Sequence, residues 1–358
     1  MLPLLFGVLL AVHGLIHLLG TAKAFDWLEL KKMELPVTKN FGVFWFITAL
    51  LFLLTLFLLI IGKEWWWTAF IAVLLSQVLI SMSWGNARFG TIANIMILLT
   101  ILPAIARWKF QSDGDKMLRQ IQQNAAMIQP VLITDEMIDS KPYPVQQWLK
   151  RSDVSGHRLA PFQQFHQSGY LLTEPGGDTL QFKADQISST LSPEFVWQNT
   201  IFMRAGIPID GRDILINGKG EMKIRLLGIF PVANASGKEI DQGSLLRYLG
   251  EISLMPAAAM SNFIHWEAVD SVTAKAWIAN KEQEVTGVFH FNKEGDFVSF
   301  TAERYFMAEN ETPRLEEWEA RVVPGCYKLV NGIRRPYKLE ISWNLKAGKW
   351  RWMELEIE

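Results

Sequence analysis

Apolar residues are unevenly distributed along this chain. Four stretches near its start contain no Asp, Glu, Lys or Arg: residues 1–22, 41–62, 65–87 and 89–106. A helix rises about 1.5 Å per residue, so about 20 residues cross a hydrocarbon core of about 30 Å. All four stretches meet that length, the last only just. A helix packed inside a water-soluble protein keeps a polar face with the helical period. Residues 41–62 are almost solid Leu, Phe and Ile and show no such face. The pattern predicts four membrane spans. Trp45, Trp65, Trp66, Trp67, Trp84 and Trp108 lie in or near span ends, where indole favours the headgroup region. Lys63-Glu64 and Asn86-Ala87-Arg88 supply tight turns between spans.

Beyond the last span the period changes. Residues 111–129 read as a polar helix or linker, and Pro142-Tyr143-Pro144 precedes a short helix carrying Trp148. From about Phe162 apolar residues alternate with polar ones. Met222, Ile224 and Leu226 enclose Lys223 and Arg225, and Leu339, Ile341 and Trp343 alternate with Lys338, Glu340 and Ser342. Phe195, Trp197, Ile201 and Met203 also keep one parity. This is the period of strands with one wet face. Turn signals separate them at Gly176-Gly177, Asn217-Gly218, Gly295-Asp296 and Ala347-Gly348. Around Trp350 to Leu355 the apolar parity slips by one, which predicts a bulge. One helix interrupts the strands, from about Asp241 as N-cap through Leu245, Leu246 and Leu249, stopping before Pro256. The expected fold is a multi-domain membrane protein: an N-terminal four-helix transmembrane bundle and a C-terminal α+β domain on a curved, mainly antiparallel sheet, half-barrel or barrel-like. The expected divisions are residues 1–110, a helical linker at 111–140, and a soluble domain at 141–358.

Charge sharpens this division. Residues 1–110 carry a net of +4 and the remainder a net of −5. Neither part has the basic stripe that nucleic-acid phosphates require, so no nucleic-acid partner is expected. The single cysteine, Cys326, excludes an intramolecular disulfide and a cysteine-based structural zinc site. The start lacks the charged region of a cleavable signal peptide, and the further spans favour an uncleaved first helix. The positive-inside count is nearly balanced. Lys63, Arg107 and Lys109 stand on the side of the large domain, against Lys23, Lys31, Lys32, Lys39 and Arg88 opposite. A literal count puts the loops inside and the large domain outside, and adding Lys116 and Arg119 erases the margin. The side of the large domain therefore stays open, and the expected location is a bacterial inner (plasma) membrane.

Several segments resemble an uncharacterised bacterial family, a domain of unknown function whose members often carry N-terminal spans. They are Pro144 to Leu149, Phe195-Val196-Trp197, Gly218 to Met222, Asp241 to Glu251 with Pro256, Trp266, and later Asn331-Gly332, Pro336 and Trp343. Arg247-Tyr248-Leu249-Gly250-Glu251 is the most specific part, and the resemblance runs from about residue 140 to the end. His13 to Gly20 is similar to the first span of some members. The resemblance implies the architecture and supplies no mechanism. The sheet also resembles, at the level of fold alone, half-barrels that carry lipids or lipoproteins.

Each candidate for chemistry has a plainer reading beside it. His13 and His17 share one helix face and would suit a metal or a proton relay. The plainer reading gives each a hydrogen bond to a neighbouring helix, for example to Gln77 or Asn94, since no third ligand is evident. Gln77, Asn86 and Asn94, with Ser76, Ser81 and Ser83, would line a path or glue helices together. Arg247 and Glu251, four apart, would clamp a headgroup or form a structural ion pair. Asp210-Gly211-Arg212-Asp213 reads as a polar loop and lacks the ligand spacing of a calcium site. His157, His166, His265 and His290 are dispersed. No nucleophile elbow, zinc-protease motif, phosphate loop or dinucleotide fingerprint occurs, and Cys326 reads as an inert thiol rather than a nucleophile.

The leading expectation is a non-enzymatic, membrane-anchored protein with no cofactor. Its sheet would hold a lipid, another apolar ligand or a partner protein beside the bilayer, with Arg247, Glu251, Tyr248, Trp197 and Trp266 as ligand-binding residues. An enzyme on a membrane-associated substrate would instead gather Arg247, Glu251, Asp210, Asp213 and His265 in one pocket. A transporter or metal protein would centre on His13 and His17, and with so few helices would need a homo-oligomer.

Overall fold

The computed structural model describes residues 2–27, 38–126, 128–203, 206–279, 283–307 and 312–358. Lys31 and Lys32, which entered the orientation count, lie outside them. Two compact units divide the chain, one with its body in Met1–Lys109 and one holding the sheet.

The first unit contains α1 (Leu2–Ala24), α2 (Lys39–Ile60), α3 (Trp66–Met82), α4 (Trp84–Ala87) and the start of α5 (Gly90–Ala126). Three helices, α1, α2 and α5, are long and apolar enough to cross a membrane. One of the four expected spans is not found as a single helix of that length. The third predicted span breaks at Ser83, leaving α3 with 17 residues, about 26 Å of helix against a core of about 30 Å. Ser81, Ser83, Gly85 and Asn86 cluster at the break, and all are weak helix formers. Leu10, Phe52, Ala69, Ala72, Val73, Ile97 and Ile101 pack inside this unit. Leu15, Phe44, Leu74 and Leu99 face outward and exposed, an arrangement suited to lipid. Small residues let the helices approach: a Cβ on Gly20 would lie 2.4 Å from the Trp45 ring.

In the second unit a short pair, β1 (Val131–Leu132) and β2 (Arg158–Leu159), flanks α6 (Asp135–Asp139) and α7 (Tyr143–Arg151). Six strands follow: β3 (Phe162–Leu172), β4 (Thr179–Ser189), β5 (Phe195–Phe202), β6 (Pro208–Ile216), β7 (Lys219–Leu226) and β8 (Phe230–Ser236). Helix α8 (Lys238–Glu251) interrupts them. Then come β9 (His265–Ala268), β10 (Thr273–Ala279), β11 (Glu284–Phe291), β12 (Phe297–Phe306) and β13 (Arg314–Val322). The hairpin of β14 (Tyr327–Val330) and β15 (Ile333–Pro336) precedes β16 (Lys338–Leu345) and β17 (Gly348–Ile357).

Thirteen strands form one antiparallel sheet in the order β8-β7-β6-β5-β4-β3-β17-β16-β13-β12-β11-β10-β9. The terminal strands β8 and β9 do not pair with each other, so the sheet is not a closed barrel. It nonetheless wraps round α8, which packs against β6, β7 and β8 near one edge and against β10, β11 and β12 near the other. The expected bulge is present. Ile341 pairs with Met353 and Ser342 with Arg351, which leaves Trp352 as the extra residue.

The core beneath α8 is aromatic and aliphatic: Trp148 from α7, Tyr248, Leu245 and Leu249 from α8, and Phe165, Phe289, Phe297 and Phe300 from the sheet. Gly250 and Gly287 bracket Phe300. A Cβ would approach its ring to 2.9 Å at the first and 2.1 Å at the second. On the opposite face of the sheet, Met117, Leu118 and Ile121 of α5 pack on Ile187, Val196 and Ile214. Two local expectations are corrected. Helix α8 starts at Lys238 after Gly237, and Asp241 sits inside it. Its carboxylate accepts a 2.6 Å hydrogen bond from the Gly220 N–H rather than capping its own helix. The segment Asp210 to Asp213 is part of strand β6, not a loop.

Candidate functional site

The site arises where polar residues occupy inward positions of strands. On β4, Phe182, Ala184, Gln186 and Ser188 share a face by alternation. Register places Gln186 beside Trp197 of β5, and Trp197 beside Asp213 of β6. These three side chains form one cross-strand row on the face that wraps α8. Arg247 of α8 meets the row.

Its Nε donates to Glu251 Oε1 at 2.7 Å, its Nη1 to Asp213 Oδ2 at 2.9 Å and its Nη2 to Gln186 Oε1 at 3.2 Å. The guanidinium carbon lies 4.7 Å from the Trp197 ring centre and 4.9 Å from that of Phe195. Gln186 Nε2 donates to Glu251 Oε2 at 2.5 Å, and Gln167 links Gln186 to the Trp197 indole. Burial pulls the Arg247 guanidinium down, but Glu251 and Asp213 outweigh it and hold it above its ordinary value. Burial raises the Asp213 carboxyl, with Arg247 and Arg304 opposing. The Asp213 side chain keeps 26 % of its exposure.

The other wall of the same face is built from β12, β13, β16 and β17. Register aligns Ala302, Trp318, Trp343 and Trp350 across the four strands. Arg304 and Phe306 follow Ala302 on that face. The Arg304 guanidinium lies 5.0 Å from the Trp318 ring centre and 5.8 Å from that of Trp343. Phe306 packs at 5.1 Å on Trp343 and 6.2 Å on Trp350. Burial and the Arg247 charge hold the Arg304 guanidinium down to about 10, against the pull of Asp213 and Glu251. It therefore stays charged at neutral pH. Helix α8 reaches this wall through Gly243, where a Cβ would lie 3.1 Å from Arg304 Nε. The indole Nε1 atoms of Trp318, Trp350 and Trp352 are buried without a hydrogen-bond partner among the described residues.

Helices of the first unit carry a separate polar cluster. His17 Nδ1 donates to the His13 carbonyl at 2.8 Å, and its Nε2 lies 3.0 Å from Ser76 Oγ. His13 Nε2 lies 2.9 Å from Asn94 Oδ1 and 3.3 Å from Ser76 Oγ. Asn94 Nδ2 continues the chain to Gln77 Oε1 at 3.0 Å, and Gln77 reaches Thr91. Phe52 packs on both imidazoles and Trp45 on that of His17. Among the described residues no three metal-ligating side chains come together.

A family model matches residues 131–355. The chain belongs to DUF6544, a family of unknown function. No curated protein and no solved structure matches it. The DUF6544 match includes every residue of the Arg247 cluster and the Arg304 wall, and leaves out α1 to α5.

Within this DUF6544 domain, three of the five expected ligand-binding residues converge: Arg247, Glu251 and Trp197. Tyr248 is buried, donates to the Ser189 carbonyl at 2.6 Å and belongs to the core. Trp266 packs on Trp148 and Phe289 and donates to the Ala259 carbonyl. The set expected of an enzyme is divided. Asp213 joins Arg247 and Glu251, while Asp210 lies on the other face of β6, accepting from Thr200 at 2.9 Å and Gln111 at 3.3 Å. Opposite parity on one strand accounts for the separation. His265 stacks on Trp277 on the edge pair β9–β10. Gln186, Gln167, Arg304, Trp318 and Trp350 were not among the expected residues. Their signal was available as polar residues at apolar parity: Gln186 after Phe182 and Ala184, and Arg304 between Ala302 and Phe306.

Two surface grooves of about 350 and 340 Å³ lie over β3, β4 and β17, lined by polar and charged residues such as Tyr170, Gln181, Lys183, Arg351 and Glu354. Gln181, Lys183 and Glu354 have the parity opposite to Phe182 and Met353. The grooves therefore belong mainly to the face turned away from α8.

Proposed function

We propose that this chain is a membrane-anchored binding protein whose sheet holds an amphiphile, a lipid or other ligand with an apolar chain, on the face that wraps α8. The observation that carries the reading is the composition of that face. Partly exposed rings of Phe306 and Trp350 adjoin charged side chains on a wrapped, unclosed sheet. Rings give an apolar chain a seat, and polar groups at one end orient it. Binding is favoured over catalysis because Arg247 already engages both carboxylates, Asp213 and Glu251, and among the described residues no free acid–base pair stands beside them. The three long apolar helices support a tether in the lipid bilayer, and we assign that bilayer to the bacterial inner membrane.

The test is mass spectrometry of lipids extracted from the purified full chain in mild detergent, beside an Ala184→Trp variant. Ala184 lies between Phe182 and Gln186 on the face that wraps α8, and an indole there would add bulk to that face. An amphiphile present with the wild type and depleted with the variant supports the reading. Identical extracts from the two proteins overturn it.

A further inference from the structure

We propose that the ligand of this face carries an anionic headgroup, a carboxylate or a phosphate, held by Arg304 with the Trp318 indole N–H as a second donor. The inference rests on the amphiphile reading and adds the chemistry of the head.

Two arginines on one face have opposite fates. Arg247 is saturated by Asp213, Glu251 and Gln186. The Arg304 side chain, on the facing wall, makes no ion pair and no hydrogen bond among the described residues; it lies over the rings of Trp318 and Trp343, and Asp213 and Glu251 act on its charge only from a distance. A guanidinium carries five N–H donors and no acceptor, and an indole carries one donor and no acceptor. Trp318 is only 4 % exposed, and its Nε1 has no partner among the described residues. A ligand atom facing these groups must therefore be an acceptor. An unpaired buried donor costs about 1–3 kcal/mol, so the buried Trp318 indole N–H on the wall that carries the half-buried Arg304 guanidinium points to an acceptor that completes it. Planar two-oxygen anions match a guanidinium fork best. The charges of Arg247, Arg304, Asp213 and Glu251 cancel. Recognition consequently rests on directed donors rather than on a net positive field, and neutral heads with a single hydroxyl are weak competitors. Phe306, Trp343 and Trp350 continue the wall for the apolar chain.

The experiment is photo-crosslinking of the full chain in non-ionic detergent. The probes are a diazirine-bearing long-chain carboxylic acid and the alcohol of the same chain, with labelled peptides mapped by mass spectrometry. The acid is expected to label the peptides holding Trp318, Trp343 and Trp350 about tenfold or more over the alcohol, as for loss of one charged hydrogen bond. Arg304→Gln should remove that preference, and Arg304→Lys should retain part of it. Trp318→Phe keeps the ring, removes the N–H and should weaken acid labelling several-fold, which keeps the test decisive if Arg304→Gln fails to fold. Competition by unlabelled monoalkyl phosphate or by fatty acid tells which anionic head binds more tightly, and either result sustains the inference. Equal labelling by acid and alcohol would overturn the anionic head while leaving the amphiphile reading intact. No labelling of these peptides by either probe would overturn both.

Discussion

The helical unit and the sheet unit each bury a polar cluster among aromatic rings, and the clusters differ in one respect. Around His13, His17, Ser76, Asn94 and Gln77 each side chain meets another or a backbone carbonyl. Around α8, Arg247 is just as well satisfied, but on the facing wall the indole N–H groups of Trp318 and Trp350 are buried without a partner among the described residues, and the Arg304 guanidinium lies over the Trp318 ring. Closed hydrogen-bond networks fix helices to one another. An unfinished one leaves room for a molecule that finishes it. On our proposal, the ligand chemistry belongs to the sheet rather than to the buried histidines of the helical unit.

The largest effect should come from Arg247→Leu, which leaves Asp213 and Glu251 without their cation. Breaking a buried ion pair in this way costs about 3–5 kcal/mol. Thermal unfolding of the full chain in detergent, followed by near-ultraviolet circular dichroism, should show it as a large drop. A negligible drop would mean that Arg247 is not the hub described.

Asn94→Leu comes next. It removes contacts to His13, Ser76 and Gln77, each worth about 1 kcal/mol or less between membrane helices. A modest fall in helical thermal stability is expected, with ligand labelling of the sheet unchanged. A change in that labelling would break the distinction between the two clusters.

Asp296 sharpens the comparison through pH. Burial pulls its carboxyl up, but hydrogen bonds and charge from Arg334 and Arg151 outweigh it and hold the group below its ordinary value. The folded state therefore binds this proton less readily than the unfolded one. Its stabilisation is complete above the ordinary aspartate value of about 3.9 and disappears as pH falls through the lower folded value. Arg151 is 45 % exposed, so the effect should be on the order of 1 kcal/mol. Unfolding measured from pH 6 to pH 2 should show that acid limb shrink in Asp296→Asn. An unchanged limb would remove Asp296 as its source.

The smallest stability effect is expected from Arg304→Gln. It breaks no ion pair and removes a partly buried charge, so denaturation should shift by about 0.5 kcal/mol or less. A loss approaching that of Arg247→Leu would show that Arg304 is structural.

Much of this was legible beforehand. Charge-free runs marked α1, α2 and the start of α5. Alternation marked the strands, and slipped parity located Trp352. The shortness of α3 was missed because apolarity continues through Ser83 although helix does not. The asymmetry of Asp210 and Asp213 was hidden by reading them as a loop. Wrapping of the sheet round α8 depends on contacts between strands far apart in order, which no local pattern carries. Arg304 is visible in the sequence as a cation at apolar parity, but that its side chain has no ion pair among the described residues is seen only in the fold.

The most direct test of a ligand-binding face is ¹⁹F NMR of the full chain labelled with 5-fluorotryptophan in detergent, with the Trp318 resonance assigned by Trp318→Phe. Added octanoate should shift that resonance saturably in the wild type, far less in Arg304→Gln, while octanol at the same concentrations should shift it weakly. A Trp318 signal indifferent to octanoate, or one that responds identically in wild type and Arg304→Gln, would contradict the account.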